Sequence, residues 1–236
     1  MSSEEPIKML LKATADLQES CDYADLTITC GTDVYEVHKA IVCSQSEFFR
    51  LACRTRVDPK GDFKEGKTGV VDIPRISASN LPTYDWNPDA EDPRCVKLMV
   101  HYFYHLDYLE VETAKIKAEP AATTQFKDYT LDDGILIDHA RMYAMGDEYG
   151  IPGLKALAKS KFEDILKFTC AGLVKAMRIA YASTVDEDKG LRQLIVNKLH
   201  AYNIATSLGK PEIDENVKDL PELGYALLRK QLNLAM

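Results

Sequence analysis

The sequence predicts an α+β fold in which a small sheet and a cluster of helices precede an α-helical C-terminal extension. Within residues 23–53 an apolar period of two gives way to a helical period, which indicates two strands followed by two helices. Helical patterns then recur through the last third of the chain. With 236 residues, the chain is long enough for one large or two small domains with a real core.

Composition excludes several classes of function. Apolar residues make up 46% of the chain and charged residues 28%, which is typical of folded proteins. The net charge of −8 argues against direct nucleic-acid binding, because phosphate contacts need a basic field. No segment has the roughly 20 consecutive apolar residues of a membrane helix, and the acidic start MSSEEPIKMLL is unlike a signal peptide. We therefore expect a cytoplasmic or nuclear protein without membrane association.

The six cysteines show no CxxC pair and no regular spacing, which favours thiols in a reducing compartment over disulfides or a metal cluster.

The strand–helix unit is the most informative stretch. Leu26, Ile28 and Cys30 alternate with Thr27 and Thr29, as in a strand buried on one face. A turn over residues 31–33 and a second strand over 34–37 complete a hairpin. Two helical stretches follow, separated by the polar segment 44–46.

This unit resembles the start of a BTB/POZ domain, in which an Asp-led strand and a second strand ending in His-Lys or His-Arg precede a Ser-x-x-Phe helix pair. The matching residues are Asp25, Leu26, Ile28, Tyr35, Val37, His38, Lys39, Ser46, Phe48 and Phe49. The resemblance, closest to fungal-type BTB proteins with a helical extension, covers roughly residues 20–165.

An amphipathic helix is predicted before this unit, with its stripe at Ile7, Leu10, Leu11, Thr14 and Leu17. In many BTB domains an N-terminal helix packs across a homodimer interface. The resemblance therefore implies that Ile7, Leu10 and Leu11 lie at such an interface. It also implies that Asp25 and Lys39 approach each other in a charged pocket near that interface.

After the helix pair, a third strand is predicted over residues 70–74, and a loop over 75–93. A helix starting at Asp92 or Pro93 follows, with the buried stripe Val96, Met99, Val100 and Phe103. The family resemblance adds a short strand over 108–111. Residues 112–133 are polar and are interpreted as an inserted loop.

A helical hairpin is predicted to close the domain, with its first helix ended by Tyr149-Gly150 and its turn at 151–153, and three further helical patterns occupy the tail. The predicted organisation is an N-terminal helix (1–19), a BTB/POZ domain (20–166) with inserted loops near 75–93 and 112–133, and a helical extension (167–236).

Residues 61–68, GDFKEGKT, satisfy the phosphate-loop pattern G-x-x-x-x-G-K-[ST] letter for letter. A phosphate loop needs a strand before it and a helix after it. Here a strand is predicted to follow, so nucleotide binding is only a remote alternative.

The same segment contains Phe63 and Glu65, which fit the hydrophobic-x-Glu signature with which many BTB domains engage a cullin scaffold. A solvated loop is the competing interpretation.

His101 and His105 have the i, i+4 spacing of a zinc-binding pair, but no third ligand is evident, and aromatic helix packing is favoured. By the family's pattern His38 ties the second strand to the following helix.

No catalytic triad, nucleophile elbow or HExxH string is present. We therefore predict a non-enzyme without cofactor or metal.

The functional hypothesis is a protein interaction module that self-associates as a homodimer and recruits another, unidentified protein. The resemblance further suggests an adaptor for a cullin ubiquitin ligase. The alternative is an oligomerisation module associated with transcription or chromatin.

Overall fold

The structure is a computed structural model that describes residues 4–54, 64–75, 91–108, 134–168, 172–201 and 211–233. These residues form two compact units. The first contains residues 4–54, 64–75, 91–108 and 145–157, and the second contains 134–144, 158–168, 172–201 and 211–233. The domain limits predicted at residues 19 and 166 remain predictions.

A three-stranded sheet forms the first part of the first unit. Strands β1 (Leu26–Cys30) and β2 (Asp33–Val37) are antiparallel, and β3 (Val70–Asp72) pairs in parallel with β1, which gives the order β2-β1-β3. The hairpin turn needs Gly31, whose φ is +60° and whose missing Cβ leaves room for the Arg75 side chain. The predicted hairpin and third strand are confirmed.

The predicted helix pair is α2 (Lys39–Gln45) and α3 (Glu47–Ala52). Ser46 separates the two helices because it caps the second one: its hydroxyl accepts a hydrogen bond from the Phe49 amide at 3.1 Å. The same hydroxyl donates to the Tyr149 carbonyl at 2.6 Å. One serine therefore ends a helix, begins the next and fixes both to a distant turn.

Helix α4 (Lys64–Thr68) precedes β3, and helix α5 (Pro93–His105) is the central helix of the first unit. Asp92 caps α5 by accepting from the Arg94 amide, as its Asp-Pro start predicts. The predicted stripe is buried, and so are the tyrosines beside it: Val96, Met99, Val100, Tyr102, Phe103 and Tyr104. Helix α1 (Glu4–Ser20) packs on α5.

The predicted closing hairpin consists of α6 (Gly134–Glu148) and α7 (Pro152–Phe168). Its turn lies earlier than predicted, because Pro152 and Gly153 already belong to α7, where proline is tolerated in the first turn. Gly150 occupies the left-handed region in the turn, with φ of +57°. The Gly150 carbonyl accepts a hydrogen bond from the Glu47 amide at 3.0 Å, which attaches the turn to α3.

The second unit contains α8 (Leu173–Ser183), α9 (Gly190–Ala201), α10 (Pro211–Asp219) and α11 (Pro221–Gln231). Three of these helices were predicted, and α10 was missed. Its sequence, PEIDENVKD, has only Ile213 and Val217 as large apolar residues, and its buried residue is Asn216, whose side-chain oxygen accepts a hydrogen bond from Arg178.

Several predictions fall outside the described residues. These are almost all of the strand over 108–111, the insertion over 112–133 and most of the loop over 75–93. Near the two ends of that loop, Arg75 and Glu91 form an isolated β-bridge. Among the helices that are described, none is both long enough and apolar enough to cross a membrane.

Helix α6 approaches α7 so closely that Gly146 leaves no room for a side chain. A Cβ at this position would lie 2.7 Å from the Lys155 amide nitrogen and 2.8 Å from its Cα. Because these are backbone atoms, we expect Gly146→Ala to lower the free energy of unfolding by roughly 1–3 kcal/mol. Urea denaturation followed by circular dichroism measures this loss.

Gly224→Ala is the matched control, since its Cβ would meet Val217 at ordinary contact distances, 3.6 Å from Cγ1 and 3.9 Å from the carbonyl oxygen. There, the higher helix propensity of alanine should leave the stability unchanged or raise it by up to about 1 kcal/mol. Equal effects of the two substitutions would contradict the close approach at Gly146.

Candidate protein interaction site

The first turns of α1 expose a group of apolar side chains. Ile7, Met9 and Leu10 are 60–68% exposed, whereas Leu11, Thr14 and Leu17 are partly buried. The predicted stripe is therefore divided between a solvent-facing and a packed part. Met9 was not predicted because it lies off that stripe.

The second half of α1 is held against α5 by polar contacts. The Thr14 hydroxyl donates to the Tyr104 carbonyl at 2.9 Å, and Gln18 Oε1 lies 3.0 Å from His105 Nε2. The helix is therefore anchored at one end and presents the apolar residues of its other end to solvent.

A buried histidine joins three parts of the first unit. His38 Nε2 lies 2.6 Å from the Asp22 carbonyl, and His38 Nδ1 lies 2.7 Å from the Tyr104 hydroxyl. A carbonyl only accepts, so in the neutral imidazole Nε2 carries the proton and Nδ1 accepts from the tyrosine O–H. The same hydroxyl oxygen accepts the His38 backbone N–H at 3.0 Å. Each of these polar groups thus has a partner.

Burial raises the pKa of Tyr104 to about 12, although the hydrogen bond from the His38 backbone acts to lower it. The phenol therefore keeps its proton at neutral pH and remains able to donate to His38. This assigns His38 a structural role as the link between the end of β2, helix α5 and the α1–β1 connection. Sequence spacing gave no sign of its partner, which lies 66 residues away.

The α1–β1 connection that His38 holds is conformationally unusual. Cys21 and Tyr23, on either side of Asp22, have φ of +55° and +66°, a left-handed region that residues with a Cβ seldom adopt. Tyr23 is also 89% exposed. The hydrogen bond from His38 to the intervening carbonyl helps to maintain this conformation.

The structure brings Asp25 and Lys39 together, but through the backbone. Asp25 Oδ1 accepts from the Lys39 amide at 2.7 Å, so the carboxylate caps the first turn of α2, where His38 provides no side-chain cap. Asp25 is exposed and Lys39 partly buried. A role of this pair in a dimer pocket remains a prediction.

The cysteines in the described residues are thiols: Cys21, Cys30, Cys43, Cys53 and Cys95. Cys43 and Cys53 lie side by side near Lys39, and burial raises the pKa of Cys43 to about 12. Burial likewise raises the pKa of Cys53, although its hydrogen bond with Cys43 and the charge of Lys39 act to lower it. These groups are neutral packing residues near the helix pair rather than activated nucleophiles.

Of the predicted cullin-binding residues, Phe63 lies outside the described residues, and Glu65 is partly buried in α4. The helical turn Lys64–Thr68 ends at Gly69 and leads directly into β3. A phosphate loop would lead into a helix instead.

His101 and His105 stack with their ring centroids 3.8 Å apart and their planes within 16° of parallel. No group of three potential metal ligands lies together in the part of the chain that is described.

Comparison with protein families identifies the first unit's N-terminal half. Residues 14–83 match the family model of the BTB/POZ domain. With its three-stranded sheet and surrounding helices, the fold is the predicted α+β BTB/POZ fold followed by helices. BTB/POZ domains are protein–protein interaction modules. No curated protein is significantly similar to the chain in sequence.

We expect Tyr104→Phe to lower the free energy of unfolding by roughly 1–3 kcal/mol, because it leaves His38 Nδ1 and the His38 amide without a partner inside the protein. Urea denaturation measures the change. Tyr225→Phe is the control: it removes an exposed hydroxyl that accepts from Arg229, and should change stability by less than about 0.5 kcal/mol. A neutral Tyr104→Phe would contradict the proposed linking role.

Proposed function

We propose that the protein is a self-associating BTB/POZ adaptor that recruits other proteins, including a cullin. The observation that carries self-association is the exposed apolar end of α1. Its residues Ile7, Met9 and Leu10 belong to a helix that is already fixed at its other end by Thr14 and Gln18.

A homodimer explains this exposure physically. A two-fold axis would bury the same patch from both subunits. Full burial of a large aliphatic side chain contributes up to roughly 1.5–3 kcal/mol. Six such side chains then supply a total comparable with the roughly 4–15 kcal/mol that association costs in lost freedom of motion. Since α1 is anchored, little additional ordering is required.

Replacing Ile7 and Leu10 together by glutamate should convert the dimer to a monomer, or weaken its association at least tenfold. Burying two carboxylates per subunit without partners is unfavourable. Light scattering after size exclusion, over a series of protein concentrations, measures the mass.

Val34→Glu is the control, because Val34 on β2 is similarly exposed (63%) but lies outside α1. A wild-type protein that stays monomeric at tens of micromolar would refute the homodimer. An unchanged dimer in the double variant would place the interface elsewhere.

The cullin contact is proposed from the BTB/POZ match together with the hydrophobic-x-Glu signature at Phe63 and Glu65. Glu65 lies in the short helix that leads into β3, and this helix packs against α3. Helix α4 therefore holds Glu65 on a fixed part of the first unit, where a partner can contact it.

Co-precipitation of the full chain with a cullin tests this contact. Replacing Phe63 and Glu65 by alanine should reduce binding at least tenfold if the aromatic side chain fills an apolar notch and the carboxylate pairs with a basic rim. Lys67→Ala, on the same short helix, is the control and should bind as the wild type does. Equal binding by all three proteins would remove Phe63 and Glu65 from the interface.

A further inference from the structure

Two partly exposed cysteines of the helix pair lie side by side. Cys43 belongs to α2, and Cys53 follows α3 as its C-cap. The Phe49 carbonyl connects them, because it accepts from the Cys43 thiol at 3.5 Å and from the Cys53 backbone N–H at 2.9 Å. Sequence spacing does not reveal this pair, since its members come from different helices that only the fold brings together.

The two thiols share one charged environment. Lys39 precedes Cys43 by about one helical turn, so both side chains lie on the same face of α2. Burial is the main cause that raises the pKa of each thiol; among the nearby charges, Lys39 acts to lower both pKa values and Asp25 to raise them. Lys39 has the larger effect of the two on each thiol, and Glu65 is a further opposing charge at Cys53. A negative charge on the sulfur pair therefore has a cation close by.

A pair of sulfur ligands favours one class of metal ion. Structural zinc sites take four ligands, and iron–sulfur clusters are held by four cysteines. Among the residues whose structure is described, no third histidine, cysteine or carboxylate completes such a set with this pair. Cu⁺ is a soft ion that selects thiolate sulfur and is bound by as few as two sulfur atoms. The number and the type of the ligands therefore favour Cu⁺ over divalent ions.

We propose that Cys43 and Cys53 form a binding site for Cu⁺. Without the ion both thiols are neutral. On binding, Cu⁺ and two thiols give a dithiolate complex with a charge of −1 and release two protons to solvent, and the charge of Lys39 offsets that of the complex. Deprotonation of Cys43 leaves no backbone acceptor without a partner, because the Phe49 carbonyl keeps its hydrogen bond from the Cys53 amide.

The site goes beyond the proposed adaptor function and does not depend on it. Neither cysteine belongs to α1 or to the segment that contains Phe63 and Glu65, so a protein that fails to dimerise or to bind a cullin can still bind Cu⁺. The bound ion would cross-link α2 to the end of α3 and thereby stabilise the helix pair.

Titration of the full, reduced chain with Cu⁺ under anaerobic conditions tests the site, with the Cu⁺ chelator bicinchoninate as the competitor. We expect each chain to withdraw one Cu⁺ from the chelator, and X-ray absorption at the copper edge to show two sulfur neighbours. An equal amount of Zn²⁺ should not displace the copper. Failure to withdraw Cu⁺, a third protein ligand at the copper, or displacement by Zn²⁺ would overturn the inference. A copper-induced increase in mass in light scattering would place the ion between two chains, which is equally a refutation.

Cys43→Ser and Cys53→Ser should each lower the affinity for Cu⁺ at least about a hundredfold, because each removes one of only two ligands. They should also abolish the rise in melting temperature that one equivalent of Cu⁺ produces in the wild type. Cys21→Ser is the matched control, since Cys21 is also partly exposed but lies in the α1–β1 connection. If Cys21→Ser loses as much affinity as the other two variants, or if they lose none, the inference is wrong.

The pH dependence of the affinity tests the same site without any variant. Each ion releases two thiol protons while the pH is below both pKa values, so the affinity should rise about a hundredfold per pH unit. Burial raises the pKa of Cys43 to about 12 and also raises that of Cys53, so this slope should persist from slightly acidic to slightly alkaline pH. An affinity that does not change with pH would exclude the two thiols as ligands.

Discussion

The hydrogen bonds between His38 and Tyr104 are the constraint on which the first unit depends. Through them helix α5, which supplies much of the apolar core, is bonded to the point where β2 gives way to α2. The same imidazole lies within hydrogen-bond distance of the Asp22 carbonyl, which is flanked by two residues in the left-handed region. It thereby fixes the connection between α1 and β1. The direction of α1 is set by this network together with the contacts of Thr14 and Gln18 with α5.

Local periodicity accounts for most of the fold that could be predicted from the sequence. The hairpin and helix pair are visible because a change from period two to a helical period needs only neighbouring residues. Helix α10 was not predicted, because its packing involves a hydrogen bond between Asn216 and Arg178, which are 38 positions apart in the sequence. The hydrogen bond between His38 and Tyr104 was not predicted for the same reason, since these residues are 66 positions apart.

The exposed apolar surfaces were predictable only in part. A stripe such as Ile7, Leu10 and Leu11 shows that a helix has an apolar face, but not how much of that face its own domain covers. In α11 the apolar residues Leu227 and Leu228 are adjacent in sequence, yet one is buried and the other is more than half exposed. That division is decided by neighbouring helices, which the spacing of one helix does not reveal.

Strand β2 shows how the first unit limits the ways in which it associates. In the described residues β2 pairs with β1 alone, so its outer edge carries open backbone donors and acceptors of the kind that recruit further strands and lead to aggregation. The strand is only five residues long and contains Asp33 and Glu36, both exposed. Their like charges and the short edge discourage the addition of a strand from another molecule. The sheet is thus protected against uncontrolled growth by the addition of strands.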